Sequence, residues 1–192
     1  MTKNEIKQKL IEKLTPKLYR HSIATGEMAE NLARLYKADE EKAYLAGILH
    51  DVAKGIDKKE LLVYAKSRNI KIDSIQTEQP GLLHGIVASY IARNEFGIID
   101  DDILHAIEIH STGSKNMSIL DKILYLSDSA EPNRDYDGVE MIRDLAFHGE
   151  LDKALLIAMK IKLIFVLEKE IMLHLDSIEA WNETVIALKK IT

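Results

Sequence analysis

Four histidines and two aspartates in this chain fall where a soluble protein ordinarily places aliphatic side chains. His84 is followed by Val87, Ala88 and Ile91 at i+3, i+4 and i+7, and His110 is preceded by Ile107, Ala106 and Ile103 at the mirror spacings. Each imidazole therefore lies on the apolar face of a helix. His21 aligns with Thr25 and Met28, on a helix that also carries Leu32 and Leu35; His50 aligns with Ala43, Ala46 and Ala53. Asp51 adjoins His50 inside LAGILHDVAK (45–54), and Asp128 closes the apolar run ILDKILYLSD one turn after Leu124 and Tyr125. One such residue alone is ordinarily a hydrogen-bonded core side chain. Six of them, carried on five helices, ask for a common partner, because inward carboxylates repel one another and each buried imidazole needs a compensating group. One divalent cation or two would satisfy all six, and a His4Asp2 set suits borderline first-row metals. Of the seven histidines, His105, His148 and His174 fall on another face, in a turn and at a helix end, and read as ordinary.

The elements that must position these residues are helices. Apolar residues recur with the 3.6 period, strand-like alternation is scarce, and only three prolines interrupt the chain. Thr2 with Glu5 and Asp57 with Glu60 read as capping boxes, and Asp39 precedes two glutamates of a first turn. The patterning predicts helices near 3–14, 17–36, 39–53, 57–68, 82–96, 100–111, 118–129, 138–147, 151–173 and 177–190. Two longer loops, 69–81 and 129–138, separate them. The expectation is a single all-α domain over 1–192, with the metal-binding core in about 17–130 and the C-terminal helices 138–190 packed on it.

Bulk properties exclude several classes of function. A net charge of −5 argues against nucleic acid as a partner, and it obliges any anionic substrate to find positive charge locally. With no cysteine, disulfides, thiolate catalysis and sulfur-ligated metals are ruled out. The N-terminus is a charged amphipathic helix without a signal core, and the run ALLIAMKIKLIFVL is broken by Lys160 and Lys162. No membrane partner is expected, and the cytoplasm is the expected compartment. The apolar run could bury itself in the core or serve a homodimer.

His21, the His50–Asp51 pair and Asp128 reproduce the H…HD…D signature of the HD-domain superfamily of metal-dependent phosphohydrolases, and His84 with His110 resembles its two-metal subset. The segments RHSIATG (20–26), LHDVAK (49–54), LLHG (82–85), IHSTG (109–113) and SDSAEPNRDYDGVEMIRDLA (127–146) are similar to the YqeK-like family of bacterial enzymes. Ile86 and Ala88 stand where proline and glycine are usual in that family, and Asp137 where PGV is common. The resemblance implies an HD-domain helical bundle that cuts diadenosine tetraphosphate symmetrically into two ADP. It implies one metal on His21, His50, Asp51 and Asp128, and a second on His84 and His110 with Asp51 bridging. It also implies iron, although the ligand types accept manganese or cobalt.

Two such metals would supply a bridging hydroxide for attack on an inner phosphorus. The departing nucleoside diphosphate, whose second pKa is near ~6, needs little help from an acid. Lys54, one turn after His50, is assigned with Asp51 to the catalytic machinery and to substrate phosphate. Arg134 in EPNRD, Thr112 and Gly113 after His110, and Arg20 are the further phosphate candidates. Their structural alternatives are a loop tie to Asp135 or Glu131, a helix cap and an ordinary surface arginine. The competing functions are an HD phosphohydrolase of another nucleotide, a di-iron oxygenase on the same six ligands, and a nucleotide sensor without activity. Lys54 and the phosphate-type loops favour hydrolysis, and the complete ligand set disfavours a sensor.

Overall fold

The structure is a computed structural model that describes residues 1–190. Helix starts follow side-chain caps. Thr2 and Glu5 form the capping box of α1 (Lys3–Lys13); Thr15, with Pro16 in the first turn, opens α2 (Pro16–Leu35); Asp39 opens α3 (Glu40–Leu49) and Asp57 opens α4 (Lys58–Ser67). After α5 (Ser74–Glu78) and a 3-10 turn (Pro80–Leu82) come α6 (Leu83–Phe96), which stops at the left-handed Gly97, and α7 (Asp101–Ile109), capped by Asp100. A Ser118–Asp121 capping box opens α8 (Ile119–Ala130), followed by α9 (Val139–Phe147), α10 (Leu151–Glu168) and α11 (Leu175–Lys189). There is no strand among the described residues.

Among the described residues the fold is therefore all-α, with eleven α-helices where about ten were expected. The additional one is α5, inside the expected 69–81 loop. Asp73 caps it and Gln76 returns the bond, a capping box that sequence reading passed over. Three expected helices end early, and the first two of these ends matter to the site. The helix expected over 39–53 stops at Leu49, and the chain continues in tightened turns, with Val52 N–H to Leu49, Lys54 N–H to Asp51 and Ile56 N–H to Ala53. The helix expected over 100–111 stops at Ile109, where the N–H groups of Thr112 and Gly113 both bond the Ile109 carbonyl. The helix expected to reach 173 ends at Glu168, and α11 begins at Leu175, where the His174 ring accepts the Asp176 N–H.

Helix α8 lies at the centre, packed against α2, α3, α7, α9 and α10. Ile123 through Ser127 are all buried, so no face of that segment meets water. One contiguous apolar cluster runs from Ile6 in α1 to Ala180 in α11. Each fully buried Leu or Ile in it contributes on the order of 1.5–3 kcal/mol. The apolar run in α10 divides: Ala154, Leu155, Ala158 and Met159 are buried, whereas Ile164, Phe165 and Leu167 are exposed. No helix among the described residues is long and apolar enough to cross a membrane.

Candidate active site

Backbone contacts between paired helices set the histidines side by side. Gly26 of α2 faces Gly47 of α3 so closely that a Cβ at 47 would stand 2.5 Å from the Gly26 Cα. His21 and His50 lie one to two turns along from this contact, and their Nε2 atoms come within 3.2 Å. In α6, a Cβ on Gly85 would collide with the Glu108 carbonyl oxygen of α7. The flanking His84 and His110 have their Nε2 atoms 3.0 Å apart. Asp128 enters from α8, and Asp51 from the turn beyond α3. His50, Asp51 and His110 thus sit just past helix ends. That placement frees the side chains to converge while the helices carry the load.

Each imidazole is held by its other nitrogen. The Nδ1 atoms of His50, His84 and His110 donate to the carbonyls of Gly47, Gly81 and Ile107 at 2.6, 2.6 and 2.7 Å. That of His21 faces Glu131 Oε1 at 3.1 Å. These acceptors select the tautomer and aim all four Nε2 atoms inward. Asp51 divides the cluster. Its Oδ2 faces His21 and His50 at 3.6 and 3.5 Å, and its Oδ1 faces His84 and His110 at 3.5 and 3.6 Å. Asp128 Oδ1 lies 3.1 Å from His21 and 3.5 Å from His50.

The charges are finely opposed. Burial alone would push the Asp51 carboxyl up, but His50, His110 and Lys54 outweigh it and hold the group well below the usual carboxylate range. Asp128 behaves alike, with His21 and His50 overcoming its burial. Burial also opposes charge on His50, yet Asp51 and Asp128 raise it to about 10. Burial, reinforced by His110 and Lys54, pushes His84 down to about 3, and burial lowers His110 as well. Asp51 and Asp128 thus favour the charged form of His50, while the His21–His50 and His84–His110 nitrogens face each other in pairs. Asp51 Oδ1 is buried with no hydrogen-bond partner. The donor set fits divalent cations: inward nitrogen lone pairs, an orphaned carboxylate oxygen and supported outer nitrogens. Groups drawn from these six residues lie close enough to share an ion.

Lys54 sits beside the cluster, its ammonium 3.5 Å from Asp51 Oδ1 and 3.1 Å from His84 Nε2. Arg134 donates from its Nη2 to Asp128 Oδ1 at 2.7 Å and from Nε to the Asp128 carbonyl at 2.8 Å. Two hollows open at these side chains. A cavity of about 300 Å³ with Thr112 in its wall is lined by the polar Lys54, Asp128 and Arg134 and by the apolar Ile171, Met172 and Leu173. A larger one, about 740 Å³, is lined by Arg20, His21, Asp51, Lys54 and Arg134. Gly113 lines neither: its φ is +70°, and a Cβ there would meet Ala180, Met117 and Met159. Its close approach is to the core side of α11.

Sequence reading missed three features of the site. Glu131 is buried and holds His21 Nδ1 on one oxygen and both the N–H and side-chain amide of Asn133 on the other. Its position three residues after Asp128, inside an expected loop, offered little signal. The glycines Gly26, Gly47 and Gly85 were legible as small residues near each histidine. Lys162 reaches inward from α10, and the sequence marked it only as a break in an apolar run. His105 reaches Asp121, His148 lies beside Asp144 and His174 beside Asp73, all outside the cluster.

A helical bundle that converges two carboxylates and four tautomer-locked imidazoles on one point defines a metal-hydrolase type of scaffold, and the chain belongs to the HD-domain family, whose model matches residues 18–133. Within that family it is similar to proteins named symmetrical bis(5'-nucleosyl)-tetraphosphatase. The one from Halalkalibacterium halodurans is 39% identical over 92% of this chain and 93% of its own length. The one from Staphylococcus aureus is 35% identical over 89% and 88%. A crystal structure from Clostridium acetobutylicum, described as a predicted HD superfamily hydrolase involved in NAD metabolism, superposes with a TM-score of 0.93 at 35% identity, covering 97% of this chain and 98% of that one.

Proposed function

We propose that the chain hydrolyses diadenosine tetraphosphate symmetrically to two ADP at a centre of two divalent cations, iron by preference and manganese or cobalt as substitutes. The observation that carries this reading is the division of Asp51, one oxygen toward His21 and His50 and the other toward His84 and His110. Asp128 would complete the first set. Similarity at full length to the tetraphosphatases supports the substrate. Bound there, the cations would supply Lewis acidity toward phosphate oxygens and would activate water.

The protein's own side chains do the rest. Glu131 and the three backbone carbonyls hold the imidazoles in the metal-binding tautomer. Lys54 lines both cavities at the cluster, where its ammonium would neutralise a phosphate oxygen. Arg134 uses two N–H groups on Asp128 and its Nη2 also lies 3.5 Å from His21 Nε2, so its Nη1 donors are left for a second phosphate contact. Thr112 and Arg20 stand in the walls of the two cavities, as further contacts for the nucleotide. No general acid is required, because a nucleoside diphosphate with a pKa near ~6 leaves unprotonated. The test is product chromatography with iron- or manganese-loaded protein. ADP as sole product is expected, and AMP with ATP would overturn symmetrical cleavage.

A further inference from the structure

Helix α10 turns one lysine toward the cluster. The ammonium of Lys162 lies 3.1 Å from the Ser111 carbonyl and 4.5 Å from the centre of the Tyr125 ring. An ammonium has three N–H donors, and a single carbonyl uses one of them. Burial works against its charge, and the nearby Asp128 favours it. Lys162 also lines two hollows: the cavity of about 300 Å³ and a neighbouring one of about 400 Å³. Asp128 and Arg134 are in the wall of both. Half-buried at this border, the ammonium has two N–H donors that no carbonyl or carboxylate of the described residues takes, and an anion in these hollows would complete its shell.

We propose that Lys162 is a phosphate-binding residue of the nucleotide site, serving the Asp128 and Arg134 end as Lys54 serves the Asp51 and His84 end. The proposal rests on the nucleotide reading above. In an acidic chain, a polyphosphate needs several local cations, and Lys54, Arg134 and Lys162 are the three that border the 300 Å³ cavity. The competing role is structural: through Ser111, Lys162 could merely brace the turn that follows His110. The two roles separate because a brace acts on the metal and a phosphate ligand acts on the anion.

The experiment compares metal-loaded wild type, Lys162→Met and Lys162→Arg by calorimetric binding of ADP and of inorganic pyrophosphate, with metal content and melting temperature measured on the same samples. Loss of one charge-assisted contact should weaken both anions by about tenfold or more in Lys162→Met, with metal per chain unchanged. Lys162→Arg should recover most of the loss. Anion affinities within about twofold of wild type, a loss that follows lost metal, or no binding of either anion by wild type would each overturn the proposal. Failure of the substrate reading looks different: wild type would still bind ADP and pyrophosphate but leave diadenosine tetraphosphate uncut.

Discussion

Gly47 and Gly26 meet backbone to backbone, with no room for a methyl group between α3 and α2. The contact is an upstream cause of the His21–His50 juxtaposition, since separating the helices would draw those imidazoles apart.

Gly47→Ala should therefore cost about 1–3 kcal/mol of stability through overpacking. It should also weaken metal binding. Thermal melts with metal analysis check both, and a variant with unchanged metal affinity would break the link between helix spacing and the site.

Glu131→Gln should leave the fold intact and lower metal affinity by roughly 10–100-fold, as for other outer-shell partners of ligating histidines. The buried carboxylate holds His21 Nδ1 and the Asn133 N–H groups, which a glutamine satisfies only in part. Competition with a chelator measures the affinity; equal values for variant and wild type would assign Glu131 to the loop alone.

Metal loading should release a proton. Folding raises His50 to about 10, so its contribution to the metal-free protein is complete below its unfolded value of about 6.5 and lost as pH rises through about 10. A cation on His50 must displace that proton. Metal affinity should rise about tenfold per pH unit between about pH 7 and 9, with about one proton released. Calorimetry in two buffers of different ionisation heat reads the release directly, and buffer-independent heats would count against it.

Asp51→Asn should reduce activity at least about a hundredfold and lower the metal content per chain, because both carboxylate oxygens face histidine pairs. Retention of full activity with full metal would refute the bridging role of Asp51.

The sequence by itself determined the helical architecture and the six inward polar side chains. Apolar spacing marks a face as soon as a helix is assumed, and a histidine or aspartate on that face is conspicuous. Thr15, Asp39, Asp100 and Ser118 also carry their caps locally, so helix starts were readable to within a few residues. Most helix ends were too, but those of α3 and α7 were not, because the apolar pattern runs on through His50 and His110 after the helical hydrogen bonding has stopped. What only the tertiary structure decided was everything that depends on contact between distant segments. Glu131 becomes a partner of His21 across more than a hundred residues, and Lys162 borders the 300 Å³ cavity only because α10 packs on α8. The even division of Asp51 between two histidine pairs is equally nonlocal. Spacing along one helix places a side chain on a face; the meeting of faces is set by close packing, here by glycines that admit one backbone to another.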